Sequence, residues 1–181
     1  NADSVIFQTD NQKLKAKRKL GIDGVLIRSL HPIPDRKIYN KFGNTQNSDP
    51  IVLWLASIKR VKQPHLFLRI AEELRNEPIQ FIMAGEIRRK EYQKSISLLE
   101  MRQDNFSYLP CSTFEESNRL IEQATLFVNT SRREGFPNTF IQSWLRHTVV
   151  VSLSTDPDFL FEKKGIGVLS RSYSQMKADI K

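Results

Sequence analysis

Short apolar runs alternate with longer amphipathic stretches along most of this chain. Ile51, Val52, Leu53, Trp54, Leu55 and Ala56 form a continuous run rich in branched and aromatic side chains, the pattern of a strand buried on both faces. A helix is predicted next: Pro64 suits its first turn, and Leu66, Ile70 and Leu74 recur every fourth residue with Phe67 and Ala71 beside them, which makes one apolar stripe. The same order then repeats. Residues 79–84 read as a strand and 86–103 as a polar helix. Residues 106–109 are a strand before a helix opening at Thr113, where Glu116 completes a capping box. Residues 126–129 are a strand before a helix over 138–145 that stacks Phe140 over Trp144. Residues 148–152 form a β-branched strand, Thr155 with Asp158 is expected to cap a short helix, and residues 166–169 close the series. Such alternation with short connections predicts an α/β fold, a Rossmann-like doubly wound parallel sheet with helices on both faces. Strand 4–8, helix 10–20 and strand 25–28 have the same grammar and precede a loop over 40–50 that reads as a linker.

Composition narrows the class. The 181 residues suit one well-packed core, and 39% hydrophobic with 27% charged residues excludes disordered and collagen-like chains. A formal charge of +8 gives a basic surface that serves nucleic acid, an anionic membrane or phosphorylated ligands equally well. Most of the cations lie in amphipathic stretches such as 13–19 and 87–94, the pattern of solvated helix faces. No aromatics interleave on a basic stripe, so nucleic acid is not an expected partner. Cys111 is the only cysteine, so no intrachain disulfide forms, a cytoplasmic setting is expected and the residue reads as a small apolar filler. His31, His65 and His147 are scattered, and no metal site is expected. No run approaches the roughly 18 apolar residues of a membrane span, and no signal peptide is visible. The chain opens on Asn1 and goes straight into an element already under way at residues 3–7, as a piece of a longer protein would.

In an open parallel sheet, ligands bind outside the carboxyl ends of the strands. That rule places three loops on one edge: Ser57 to Lys62, Gly85 with Glu86, and Thr130 to Asn138. The last of these runs into a helix start, whose free amides and positive dipole end receive a phosphate. Gly135 lets the backbone approach a ligand, Lys62 offers an ammonium to the same phosphates, and Glu134 accepts hydrogen bonds from sugar hydroxyls. Pattern alone leaves a plain turn with Asn138 as an ordinary N-cap, and a solvated Lys62, equally open. Gly165 and Gly167 enter a late strand, so they are not a dinucleotide fingerprint, and no Walker-type loop is present.

Three segments carry a resemblance: 54–64, 81–85 and 127–137. In order and spacing they resemble the C-terminal, donor-binding domain of the family 4 (group 1) retaining glycosyltransferases, which have the two-domain "B" glycosyltransferase fold. The resemblance covers most of residues 51–169 and implies sugar transfer from a nucleoside-diphosphate sugar to an acceptor with retention of configuration. It implies that Lys62 contacts the donor diphosphate and Glu134 the transferred sugar, as the catalytic pair. It further implies donor contacts from Ser57, Gly85, Gly135, Gln142 and the helix start at Phe136, Pro137, Asn138 and Thr139. No metal or cofactor is required beyond the donor substrate. Residues 1–45 then correspond to the last strand and helix of the acceptor-binding domain plus the hinge, and 46–181 to the nucleotide-sugar-binding domain. The acceptor is lipid-linked or a saccharide, and peripheral contact with an anionic membrane is compatible with it. The chain departs from the family where Ala56-Ser57 stands for the usual Gly-Arg, Gln142 for a glutamate, and His147 and Val149 for glycine and proline. These departures keep a non-catalytic sugar-nucleotide-binding module open as the alternative.

Overall fold

A computed structural model describes residues 4–27, 49–111 and 113–181. Strands β1 (Ile6–Phe7) and β2 (Val25–Leu26) flank helix α1 (Asp10–Leu20) and pair in parallel, Ile6 opposite Val25 and Phe7 opposite Leu26. These strands are shorter than the sequence pattern predicts. Arg28 and most of the expected linker lie outside the described residues. Helix α1 is defined by its ends: Thr9 and Gln12 form a capping box, and Gly21 closes the helix in the left-handed conformation at φ 67°.

The remaining strands are β3 (Ile51–Leu55), β4 (Gln80–Ala84), β5 (Phe106–Leu109), β6 (Leu126–Asn129), β7 (Val149–Ser152) and β8 (Gly167–Leu169). They form one six-stranded sheet in the order β5-β4-β3-β6-β7-β8, with every pairing parallel. This is the doubly wound Rossmann-like sheet expected. Strand order reverses between β3 and β6, which opens a crevice at their carboxyl ends.

Strand periodicity sorts the core into two layers. Val52, Trp54, Phe81, Met83 and Val128 point to one face, where they meet Phe67 and Ile70 of α2 (Pro64–Glu73), Ile96 of α3 (Lys90–Arg102) and Met176 of α7 (Tyr173–Ile180). Leu53, Leu55, Phe127 and Val150 point to the other, against Ile121 of α4 (Phe114–Gln123), Phe140 of α5 (Asn138–Trp144) and Phe161 of α6 (Leu160–Lys164). Phe140 is the hub of the second layer, with ring centroids 6.2 Å from Phe127, 5.9 Å from Trp144 and 5.6 Å from Phe161.

Three local expectations need correcting. Helix α3 begins at Lys90, because residues 86–88 run alongside Ile58: the Ile58 amide donates to the Glu86 carbonyl and the Arg88 amide to the Ile58 carbonyl. Helix α6 is capped by Asp156, whose carboxylate accepts from the Phe161 and Glu162 amides, and not by Thr155 or Asp158. The series does not close at β8 but continues into α7, where Ser172 accepts from the Gln175 amide as N-cap.

Candidate active site

The loops after β3, β4 and β6 emerge at one edge of the parallel sheet, as the alternation of strands and helices predicts. Gly85 draws the first two together. Its φ is 133°, and a Cβ there would stand 2.0 Å from the Ala56 carbonyl oxygen, so only glycine fits. The Tyr108 hydroxyl donates to the Gly85 carbonyl at 2.8 Å. Burial, with the charges of Glu100 and Glu86, pushes the Tyr108 phenol up.

Buried Thr130 knits the loops after β3 and β6. Its hydroxyl accepts from the Trp54 indole at 2.8 Å and donates to the Lys62 carbonyl at 2.7 Å, while the Arg132 amide donates to the Val61 carbonyl at 2.9 Å. Asn129 stiffens the same loop by accepting from the Ser131 amide at 3.1 Å. Lys62 ends a 3-10 turn over Arg60–Lys62, and Gln63, at φ 48°, redirects the chain into α2.

With both loops fixed, Lys62 and Glu134 meet across the crevice, Nζ to Oε1 at 2.5 Å, with side chains 21% and 13% exposed. Coulomb attraction at this distance is strong because the pair is partly withdrawn from water. Each group saturates the other's charge, and a ligand anion or hydroxyl would have to compete for them.

The other candidate residues spread out from this pair. Ser57 is half-buried just past β3. Gly135 is half-buried, and a Cβ there would meet the side-chain ends of Gln8 and Gln12 at 2.7 and 2.8 Å, so α1 leans on this loop. Phe136 sets its ring edge-on to Trp144 at 6.2 Å. Pro137 is the N-cap of α5, so Asn138 is the first helical residue and not the N-cap, and no side chain caps the helix start. Asn138 is exposed and Thr139 half-buried. Gln142 is buried, and its amide donates to the Asn118 Oδ1 of α4 at 2.9 Å. The fold thus joins Lys62 to Glu134 but engages Gln142 with a neighbouring helix.

Sequence reasoning missed the wall contributed by α1. A cleft of 370 Å³ opens beside Glu134 between α1 and the loops after β6 and β7, and its lining includes Gln12, Lys15 and Asp158. The Asp158 carboxylate accepts from the Asp10 amide at 3.2 Å and the Asn11 amide at 3.1 Å, so it sits on the positive end of α1. No local signal announces a contact 148 residues long. Among the described residues, no group of three or more His, Cys, Asp or Glu side chains is placed to hold a metal, and no helix is long and apolar enough to cross a membrane.

Fold and crevice together define a doubly wound α/β domain of Rossmann-like type, and comparison with known proteins specifies its family. The sequence pattern of the family described as "Glycosyl transferases group 1" matches residues 49–179, and the chain belongs to that family. Among solved structures, S. aureus TarM in complex with fondaparinux, α-GlcNAc-glycerol and UDP is similar at TM-score 0.77 and 19% identity, over 98% of this chain and 36% of that one. WaaG, a glycosyltransferase involved in lipopolysaccharide biosynthesis, is similar at TM-score 0.73 and 14% identity, over 98% of this chain and 52% of that one. Anabaena HepE in complex with UDP and glucose is similar at TM-score 0.72 and 15% identity, over 99% of this chain and 53% of that one. The chain therefore spans between about a third and a half of these structures' length, and at such identities the likeness is one of fold. No curated protein sequence matches the chain.

Proposed function

We propose that this chain is the nucleotide-sugar-binding half of a retaining glycosyltransferase that moves a sugar from a nucleoside-diphosphate sugar to an acceptor. The meeting of Lys62 and Glu134 at the β3/β6 crevice carries this reading. In it the donor diphosphate displaces Glu134 from Lys62, and the ammonium then faces a leaving group whose negative charge grows as the sugar departs. Glu134, released, accepts hydrogen bonds from the sugar hydroxyls. Gly135 and Phe136 lead the backbone to the start of α5, where the uncapped amides of Asn138 and Thr139 face the phosphates. Ser57 and Gly85 line the nucleotide side, and Gln142 reaches the ribose by leaving Asn118. The donor is the only small molecule this chemistry needs, since an ammonium and helix amides do the work of a cation on the diphosphate. Residues 1–45 belong to the acceptor-binding side and 46–181 to the donor-binding domain. The setting is cytoplasmic with peripheral contact at an anionic membrane, and the acceptor is lipid-linked or a saccharide.

Calorimetric titration with UDP tests the pairing. Lys62→Ala removes a charge-assisted contact of roughly 1.5 to 3 kcal/mol, so affinity should fall about tenfold or more. Glu134→Gln removes the carboxylate that competes with the diphosphate for Lys62, so UDP affinity should rise, while the sugar-bearing donor, which loses its hydroxyl acceptor, should gain less. Wild-type UDP binding by Lys62→Ala would mean the site is elsewhere. The Gln142–Asn118 contact favours a second reading, a binding module without turnover. Sugar transfer by the longer protein that contains this chain would decide against it.

A further inference from the structure

The cleft between α1 and the loops after β6 and β7 holds cations that the donor reading does not use. Three carboxylates border it, and each is engaged within the fold. Glu134 pairs with Lys62, Asp156 takes the Phe161 and Glu162 amides, and Asp158 takes the Asp10 and Asn11 amides. Lys15, Arg132 and Arg133 also line the cleft, are exposed, and make no ion pair with any described residue. The arrangement is built, not incidental. Asp158 pins the first turn of α1, and Lys15 stands one turn beyond Asn11 on the same face, so the pin also places Lys15 over the cleft. Asp158 and Phe159 hold φ values of 52° and 60°, a strained turn buttressed by Lys163 donating to the Asp158 carbonyl at 3.1 Å.

We propose that this cleft is an anion site taking a phosphate ester on the acceptor, held by Lys15, Arg132 and Arg133 beside the sugar that Glu134 grips. The inference rests on the donor reading above and names the acceptor's chemical class. Guanidinium forks match phosphate oxygens two at a time, and a lysine adds a point charge. The cleft's walls follow β6 and β7, whereas Lys62 follows β3 and does not line it, so the site lies along the sheet edge from the donor diphosphate. Its 370 Å³ is large enough for a phosphate with the first carbons of its ester.

The test is a heteronuclear NMR titration of the chain with methyl phosphate at constant ionic strength, run with and without saturating UDP. Amides of residues 11–15 and 132–135 should shift, and the shifts should persist with UDP bound, the affinity falling by less than about tenfold because UDP frees the Glu134 carboxylate beside the cleft without occupying it. A Lys15→Gln/Arg133→Gln double variant, both positions exposed, should bind methyl phosphate about tenfold more weakly while keeping UDP affinity, as expected for lost charge-assisted contacts. If methyl phosphate moves the cleft amides but UDP binds nowhere, the anion site stands and the donor reading falls. Cosedimentation with phosphatidylglycerol vesicles that methyl phosphate reverses would assign the ester to a lipid headgroup; its absence, with the shifts intact, would assign it to a soluble acceptor. UDP abolishing the methyl phosphate shifts would overturn the inference, because the cations would then serve the donor. So would a double variant that binds methyl phosphate like the wild type.

Discussion

Residues 4–27 and residues 49–181 are stabilised in opposite ways. The sheet domain buries two aromatic layers, one on each face. Helix α1 buries none of its own residues, and the unit around it leaves Leu20 71% and Val25 55% exposed. What holds α1 is polar: a capping box and a left-handed Gly21 at its own ends, and the Asp158 carboxylate reaching across from the other region. The two regions also differ in strain. Gln63, His147, Asp158, Phe159 and Arg171, the non-glycine residues at positive φ among those described, all belong to the sheet domain, whereas α1 ends on a glycine. A dense core over-determines its loops and can carry such residues, and a helix without a core cannot.

The largest expected effect tests the core itself. Phe127→Ala should cost about 3 to 5 kcal/mol by removing a ring from the second layer, whereas Leu14→Ala on exposed α1 should stay within about 0.5 kcal/mol. Denaturant unfolding of both variants checks this, and equal losses would show that Leu14 is packed as tightly as Phe127. Next is the link between the regions. Asp158→Asn keeps a residue that tolerates left-handed backbone but loses the charge on the α1 amides, about 1 kcal/mol. Hydrogen exchange should quicken along α1 and stay slow in β3 and β4; uniform quickening would show that Asp158 supports the sheet instead.

A smaller effect of opposite sign is expected at His147, which stands at φ 55°, in the left-handed region that favours glycine. His147→Gly should raise stability by about 0.5 to 1 kcal/mol, the relief of strain less the added freedom of the unfolded chain. A lowered unfolding midpoint would refute it. The smallest effect lies at the seam of α2 and α7. Glu73 accepts from Lys177 at 2.6 Å and from Arg69 at 2.8 Å, and these contacts, Lys177 foremost, bring its carboxyl down to about 2. A depressed folded pKa stabilises above the ordinary value of 4.5 and is lost as pH falls through about 2. The midpoint difference between wild type and Glu73→Gln should therefore be full near neutrality and vanish across that acid range. Tyr173, whose phenol is pushed up to about 12 by burial and then by Glu73, stays neutral throughout the range.

By itself the sequence determined what short-range rules determine. Short continuous apolar runs located every strand of the sheet, the period-4 stripes and capping signals located most of its helices, and the capping box of Thr113 and Glu116 formed as read. The segments around Lys62 and Glu134 were also legible, because turns and helix starts are written in adjacent residues. Tertiary structure decided what separates in sequence and meets in space. Strand order put Lys62 against Glu134 at a separation of 72 residues and Asp158 against α1 at 148. It laid residues 86–88 along Ile58 and so delayed α3, and it turned Gln142 toward Asn118. Local propensity cannot encode these outcomes, since they follow from which strands are neighbours, and that is settled only when the whole sheet buries both of its faces.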